Sequence, residues 1–225
     1  LSQLEAFFLF VSATKKKNCA SRSAAPAPCA AGGAHGNRQA GTTVTTVLFF
    51  APFVSSTMRV EPQWIDYNGH LNMAYYNVLF DRAVDEAFAL VGLGPDYAQE
   101  RHASFFTAEH HILYQREIGR DDPVRVTLQL IDADEKRLHY VMEMRHATEG
   151  WVAAVAESLA LHVDLGSRRV IPFPPDILAN LAVMKTAHAR MMRPAHLGRV
   201  ISMAPKRPGT AEAPALREGG SRLLN

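Results

Sequence analysis

Between Trp64 and Asn72 the chain sets a carboxylate (Asp66), an imidazole (His70) and two side-chain amides (Asn68, Asn72) among aromatic residues, with Gly69 in their midst. A carboxylate just ahead of a helix has two possible jobs. It can hydrogen-bond the N–H of Asn68 or Gly69 and shape a turn. It can also act on a carbonyl held at the helix end, where free N–H groups and the macrodipole stabilise developing negative charge. Asn72 has the plain role of an N-cap open to it. His70 either positions substrate or water, or fills the loop. Asp66-x-x-x-His70 is not the His-Glu-x-x-His of a zinc enzyme. His110 and His111 are neighbours on a predicted strand and point to opposite faces, so no metal is assigned. A second carboxylate, Glu109, could reach the site or stand on a solvated face. The sequence has no Gly-x-Ser-x-Gly elbow, Walker loop or Rossmann glycine pattern, and no cofactor is assigned. Both cysteines, Cys19 and Cys29, lie near the N-terminus. Hydrolysis would therefore have to run on a carboxylate.

These residues need a helix and a sheet to hold them. Asn72 opens an apolar stripe of Met73, Tyr76, Phe80, Ala83, Val84, Ala87 and Val91, at the three- and four-residue steps of a helix. Val78, Leu79 and Phe88 widen it, so the helix is expected to be covered on more than one side. Arg82 and Glu86 are spaced for an i,i+4 ion pair. Gly92-Leu-Gly-Pro95 stops the helix. A strand is expected near Thr57–Glu61, and four more over 104–117, 124–130, 138–144 and 151–163. The last of these places Trp151, Val155, Leu159, Leu161 and Val163 on one face. Short turns join the strands and imply antiparallel pairing. A terminal helix over 176–192 follows. The fold class is α+β, and dimerisation through the sheet is the natural way to manage its open edge.

The formal charge of +2 conceals an uneven distribution. Residues 58–185 hold 12 basic and 19 acidic side chains, so the sequence pI of about 8.6 belongs to the ends. An acidic core argues against nucleic acid as a partner. Residues 1–52 read as a low-complexity extension, 53–185 as the folded domain and 186–225 as a basic, Pro/Gly-rich tail, both ends expected to be disordered. Leu1 in place of a start methionine reads as a fragment, a processed chain or translation begun upstream, with Met58 as an internal start. No stretch reads as a membrane span, and a reducing cytoplasm suits a core without cysteine.

The motif Trp64-x-Asp66-Tyr-Asn-Gly69-His70-x-Asn72-x-x-Tyr75-Tyr76, followed by Glu109-x-x-Ile112-x-Tyr114, resembles the hotdog-fold acyl-CoA thioesterases of the 4-hydroxybenzoyl-CoA thioesterase type. Within that group it most resembles the betainyl-CoA thioesterases of carnitine breakdown. The resemblance covers about residues 55–175. It implies a five-stranded antiparallel sheet wrapped around one long central helix. It also implies a homodimer or homotetramer with sites at the subunit boundary, and hydrolysis of a small acyl-CoA thioester. By resemblance Asp66 is the nucleophile or general base, with His70 and Asn72 beside it. Trp64, Tyr67, Gly69, Tyr75, Tyr76 and Glu109 then bind substrate, and the aromatics would suit a cationic acyl group or simply pack the helix. In some relatives the essential carboxylate lies on the helix, where this chain has Asp81 and Asp85. Two rival activities share the architecture: a hotdog dehydratase or hydratase on acyl thioesters, and a non-catalytic acyl-CoA binding protein.

Overall fold

The structure, a computed structural model, describes residues 51–203. The expectations for Cys19, Cys29, residues 1–50 and residues 204–225 lie outside the described residues. The sheet comprises β1 (Phe53–Val54), β2 (Met58–Arg59), β3 (Ala103–Tyr114), β4 (Pro123–Ala133), β5 (Arg137–His146) and β6 (Val152–Asp164). The helices are α1 (Met73–Ala89), α2 (Pro95–Arg101) and α3 (Pro175–His188), and a 3-10 turn spans Pro62–Trp64.

The long helix forms where its stripe predicts it. The Asn72 side chain accepts the Ala74 N–H at 3.0 Å and satisfies one of the orphan donors of the first turn. At the other end Gly92 takes φ +88°, which lets the Leu93 N–H reach the Phe88 carbonyl at 2.9 Å and close the helix. Tyr76, Leu79, Phe80, Ala83, Val84, Ala87 and Phe88 are buried. The large ones contribute about 1.5–3 kcal/mol each by leaving water. Two members of the expected apolar surface differ: Met73 is 67% exposed and Val78 36% exposed. The buried stripe starts one turn later, at Tyr76. Arg82 also departs from expectation, reaching Glu61 at 3.4 Å, while Glu86 accepts from Ser56.

The strands are all antiparallel in the order β1-β4-β5-β6-β3, and β2 also lies on β4. The sheet thus has six strands where five were expected, because its N-terminal edge is broken into two. Ser55 makes the break: its hydroxyl, in place of a backbone carbonyl, accepts the Val126 N–H at 3.0 Å. β1 lies ahead of Met58, so a chain begun at that residue would lack it.

A larger difference concerns β3. The short connection 115–122 reads as a hairpin, yet β3 pairs with β6 at the far edge from β1 and β2. The connection crosses the end of the curled sheet. Its Gln115 and Arg116 N–H groups both donate to the Ala153 carbonyl (2.8 and 3.1 Å), and its Ile118 carbonyl accepts the Leu71 N–H at 2.8 Å.

Register shows which residues meet the helix. Leu138, Tyr140, Met142 and Met144 of β5 face it, and their partners on β6 are Ala160, Ser158, Ala156 and Ala154. The face expected to carry Val155, Leu159, Leu161 and Val163 is therefore the outer one. Small side chains under the helix leave room for Phe80 and Phe88, which is how large and small residues share a close-packed core.

α2 was not expected, since Pro95 reads as a breaker; it stands in the helix's first turn, where proline is well tolerated. Its Tyr97 hydroxyl donates to Nε2 of the buried His162 at 2.8 Å, while Nδ1 donates to the Ile171 carbonyl at 3.0 Å and Phe173 stacks on the ring. Both ring nitrogens are thus matched to the neutral form. Burial holds the imidazole below its ordinary value of 6.5. As the pH falls the unfolded chain takes up this proton first, so the associated stability is whole above about pH 6.5 and is lost below it. His162→Gln should therefore flatten the fall in Tm between pH 7.5 and 5.5, and an unchanged slope would sink this reading.

Candidate active site

The polar cluster forms a small hairpin. Ile65 and Leu71 bridge antiparallel, the Asp66 N–H donates to the His70 carbonyl at 2.9 Å, and the Gly69 N–H returns to the Asp66 carbonyl at 3.0 Å. Tyr67, Asn68 and Gly69 form the three-residue loop. Gly69 alone takes positive φ, +83°, as the bulge position of such a loop requires; Asn68, also read as able to do so, does not. Asp66 and His70 are consequently a cross-strand pair, and their side chains leave the hairpin on the same face.

Each side chain has a defined setting. Asp66 Oδ1 accepts the Asn68 N–H at 2.8 Å, and Oδ2 has no protein partner among the described residues. The carboxylate therefore shapes the turn and still presents one oxygen outward. His70 Nε2 lies 2.9 Å from Glu117 Oε2. Asn72 serves as the N-cap. The Met73 N–H, at the start of α1, keeps no partner among the described residues, so an unused donor and the positive end of the macrodipole sit beside the hairpin.

The aromatics divide. Trp64 is buried, stacks on Tyr75 (5.4 Å, 14°) and carries the Arg82 guanidinium 5.1 Å from its ring centre. These contacts hold the hairpin against α1. Tyr76 is buried edge-to-face against Tyr114 at 5.0 Å, and its phenol is pushed up to about 12, chiefly by burial. It stays neutral at any working pH. Tyr67 is 97% exposed and free to meet a ligand. Gly69 is exposed at the loop tip.

Glu109 is not brought to the hairpin. In β3 the residues 110, 112 and 114 turn towards α1, as the contacts of His110 with Phe80 and of Tyr114 with Tyr76 show. Glu109 projects from the outer face, where it lines a cavity of about 490 Å³ with His111, Arg137, His139 and Glu157. Asp81 and Asp85 are exposed on α1. Glu117, by contrast, is a site residue that sequence reasoning missed. Its signal was weak, because it closes a predicted strand and reads as one more solvated end.

The sequence pattern of the thioesterase-like superfamily matches residues 60–181, more than half of the chain and all of the hairpin. The chain belongs to the thioesterase-like superfamily. A betainyl-CoA thioesterase of Pseudomonas aeruginosa is 36% identical over 148 residues, 66% of this chain and 93% of that protein. An L-carnitine dehydrogenase/betainyl-CoA thioesterase of Rhizobium meliloti is 34% identical over 141 residues, 63% of this chain and 28% of that longer protein. A Staphylococcus aureus protein solved in complex with CoA superposes with a TM-score of 0.64 at 27% identity, covering 70% of this chain and 98% of its own.

In this thioesterase-like domain the helix wrapped by an antiparallel sheet is the hotdog fold. The site offers a carboxylate oxygen, an imidazole nitrogen and a free amide at a helix start, the set needed to add water to a carbonyl. Among the described residues no group of His, Cys, Asp and Glu could hold a metal, and no helix is long and apolar enough to cross a membrane.

Proposed function

We infer that the chain is an acyl-CoA thioesterase, hydrolysing the thioester of a small acyl group. The observation that carries this reading is the hairpin that turns Asp66 Oδ2 and His70 to one face beside the unused Met73 N–H. Asp66 acts as general base towards water or as nucleophile, and the helix start polarises the carbonyl. Asn72 keeps that start in place. Tyr67 and Gly69 at the loop tip and Tyr75 and Tyr76 on α1 border the acyl group, and Trp64 supports them from beneath.

A betainyl group is the proposed acyl moiety. The name of the Pseudomonas aeruginosa relative supports it, as do the carboxylate of Asp66 and the exposed Tyr67, which suit a quaternary ammonium. A homodimer or homotetramer is proposed through β3, whose outer edge has no strand beside it among the described residues. The setting is proposed to be the cytoplasm, and residues 53–185 are proposed as the working domain.

The test is release of CoA thiol from a panel of acyl-CoAs, run on the full chain and on a chain lacking residues 1–50. Both should turn over, with betainyl-CoA preferred over neutral acyl groups of equal size. A folded protein that releases no thiol from any member would sink the reading. An insoluble or inactive shortened chain would overturn the domain boundary alone.

A further inference from the structure

We propose that the cavity on the outer face of the sheet is a second binding site, and that it takes a free α-amino acid. Neither the cavity nor its ligand depends on the thioesterase reading.

The cavity is built by residues that hold one another. Register sets its floor: Leu159 of β6 is paired with Glu109 of β3 on one side and His139 of β5 on the other. The next outward position along β6 is Glu157, whose partner on β3 is His111. Glu157 ties floor to roof. Its Oε1 accepts from His139 Nε2 at 2.8 Å, and its Oε2 accepts the Gly198 N–H at 2.7 Å. Gly198 belongs to the segment 189–203 that follows α3. That segment is pinned a second time, where the Gln115 side-chain amide donates to His196 Nε2 at 3.1 Å. Residues 198–200 therefore border the cavity from above. The remaining wall is made of two ion pairs, Asp132 with Lys185 and Asp134 with Arg137.

Most charges here are matched within the protein, and three side chains are not. Glu109, His111 and Arg199 line the cavity, and none has a hydrogen-bond or ion-pair partner among the described residues. A carboxylate, an imidazole and a guanidinium together suit a ligand that carries both signs of charge. The guanidinium receives a carboxylate, and the carboxylate and imidazole accept N–H bonds from an ammonium. A simple anion would face Glu109, and a simple cation would face Arg199. The volume of about 490 Å³ falls within the roughly 300–1,000 Å³ of small-molecule sites, enough for a charged head and a side chain laid along Leu159. No Phe, Tyr or Trp borders the cavity. A quaternary ammonium, which has no N–H and is held by aromatic faces, therefore fits poorly, and a primary ammonium is favoured. The imidazoles and carboxylates here do not amount to a metal site, since no such group among the described residues could hold an ion.

The experiment is calorimetry on the full chain with L-amino acids of differing side chain: glycine, leucine, glutamine and lysine. At least one should bind with a Kd of about 1 mM or tighter. The N-acetyl, amide and N-trimethyl derivatives of the tightest binder should each bind about tenfold or more weaker, since each removes a charge or the N–H donors. Glu109→Gln and Arg199→Gln should weaken that amino acid by a similar factor. Both side chains are exposed, so the melting temperature should hold in each variant. Amide shifts locate the ligand: Leu159 and Gly198 should move on titration, and Asp66 and Gly69 should not. Saturating CoA should leave the affinity unchanged. Binding by no member of the panel, binding that either variant leaves intact, or displacement by CoA would each overturn the proposal. Amino-acid binding by a protein that releases no thiol from any acyl-CoA would uphold this site and remove the thioesterase reading.

Discussion

Asp66→Asn is expected to lower kcat for acyl-CoA hydrolysis about 10²- to 10⁴-fold and to leave the fold intact. The substitution separates the two jobs of this side chain. An asparagine keeps Oδ1 where it accepts the Asn68 N–H, so the loop closes as before. Its second atom, an NH₂ group, can neither take a proton from water nor attack a carbonyl. Asp66→Ala would be less informative, since it removes the turn-forming bond along with the chemistry. Steady-state kinetics together with the melting temperature make the comparison. Turnover at the parent rate in a properly folded variant would remove Asp66 from the mechanism. Single turnover in ¹⁸O-water divides the remaining alternatives, because a nucleophilic Asp66 acquires label and a general base does not.

The largest effect on stability is expected from Phe88→Ala, at about 3–5 kcal/mol. Phe88 is fully buried near the end of α1 and meets Phe105 edge-on at 5.1 Å and Tyr140 at 5.3 Å. The truncation leaves a void between helix and sheet and forfeits two aromatic pairs worth about 0.5–1.5 kcal/mol each beyond their area. Domains of this kind have roughly 5–15 kcal/mol in total, so the melting temperature should fall by about 10 °C or more. The hairpin lies at the other end of α1, about 22 Å away at 1.5 Å per residue, and kcat measured in the cold should hold within a few-fold. A drop in Tm of only a degree or two would mean that the helix is not seated as described.

Periodic features were legible in the sequence, and long-range ones were not. The Tyr76-to-Phe88 stripe and the cap at Asn72 are local, so the extent of α1 could be read to within about two residues at its end, and the four long strands to within about three. Strand order could not. A connection as short as 115–122 ordinarily joins neighbours, and only the curl of the sheet allows it to join the edge strand β3 to β4, which lies beside the opposite edge. Arg82 could pair locally with Glu86, but Glu61, outside the helix, takes it. On β6 the eye follows Val155, Leu159 and Leu161, whereas the helix rests on Ala154, Ala156 and Ala160. At the site, Asp66, His70 and Asn72 stood out because they are crowded into seven residues. Glu109 could have been set aside by strand alternation alone, since Ile112 and Tyr114, which share its motif, lie on the opposite face. Glu117 lies far along the chain from His70, and nothing in its immediate neighbours marks it.

The crossing connection bears on how portable the motif is. The nine residues from Trp64 to Asn72 look like a cassette that could be moved to another scaffold. In this protein they stay in shape because Leu71 leans on Ile118, Trp64 on Tyr75 and Arg82, and His70 on Glu117. A transplanted loop would carry its reactive groups and leave behind the braces that aim them. The smallest unit worth transferring is discontinuous: the hairpin, the first turns of α1 and residues 115–118, segments that become one object only when the sheet has closed.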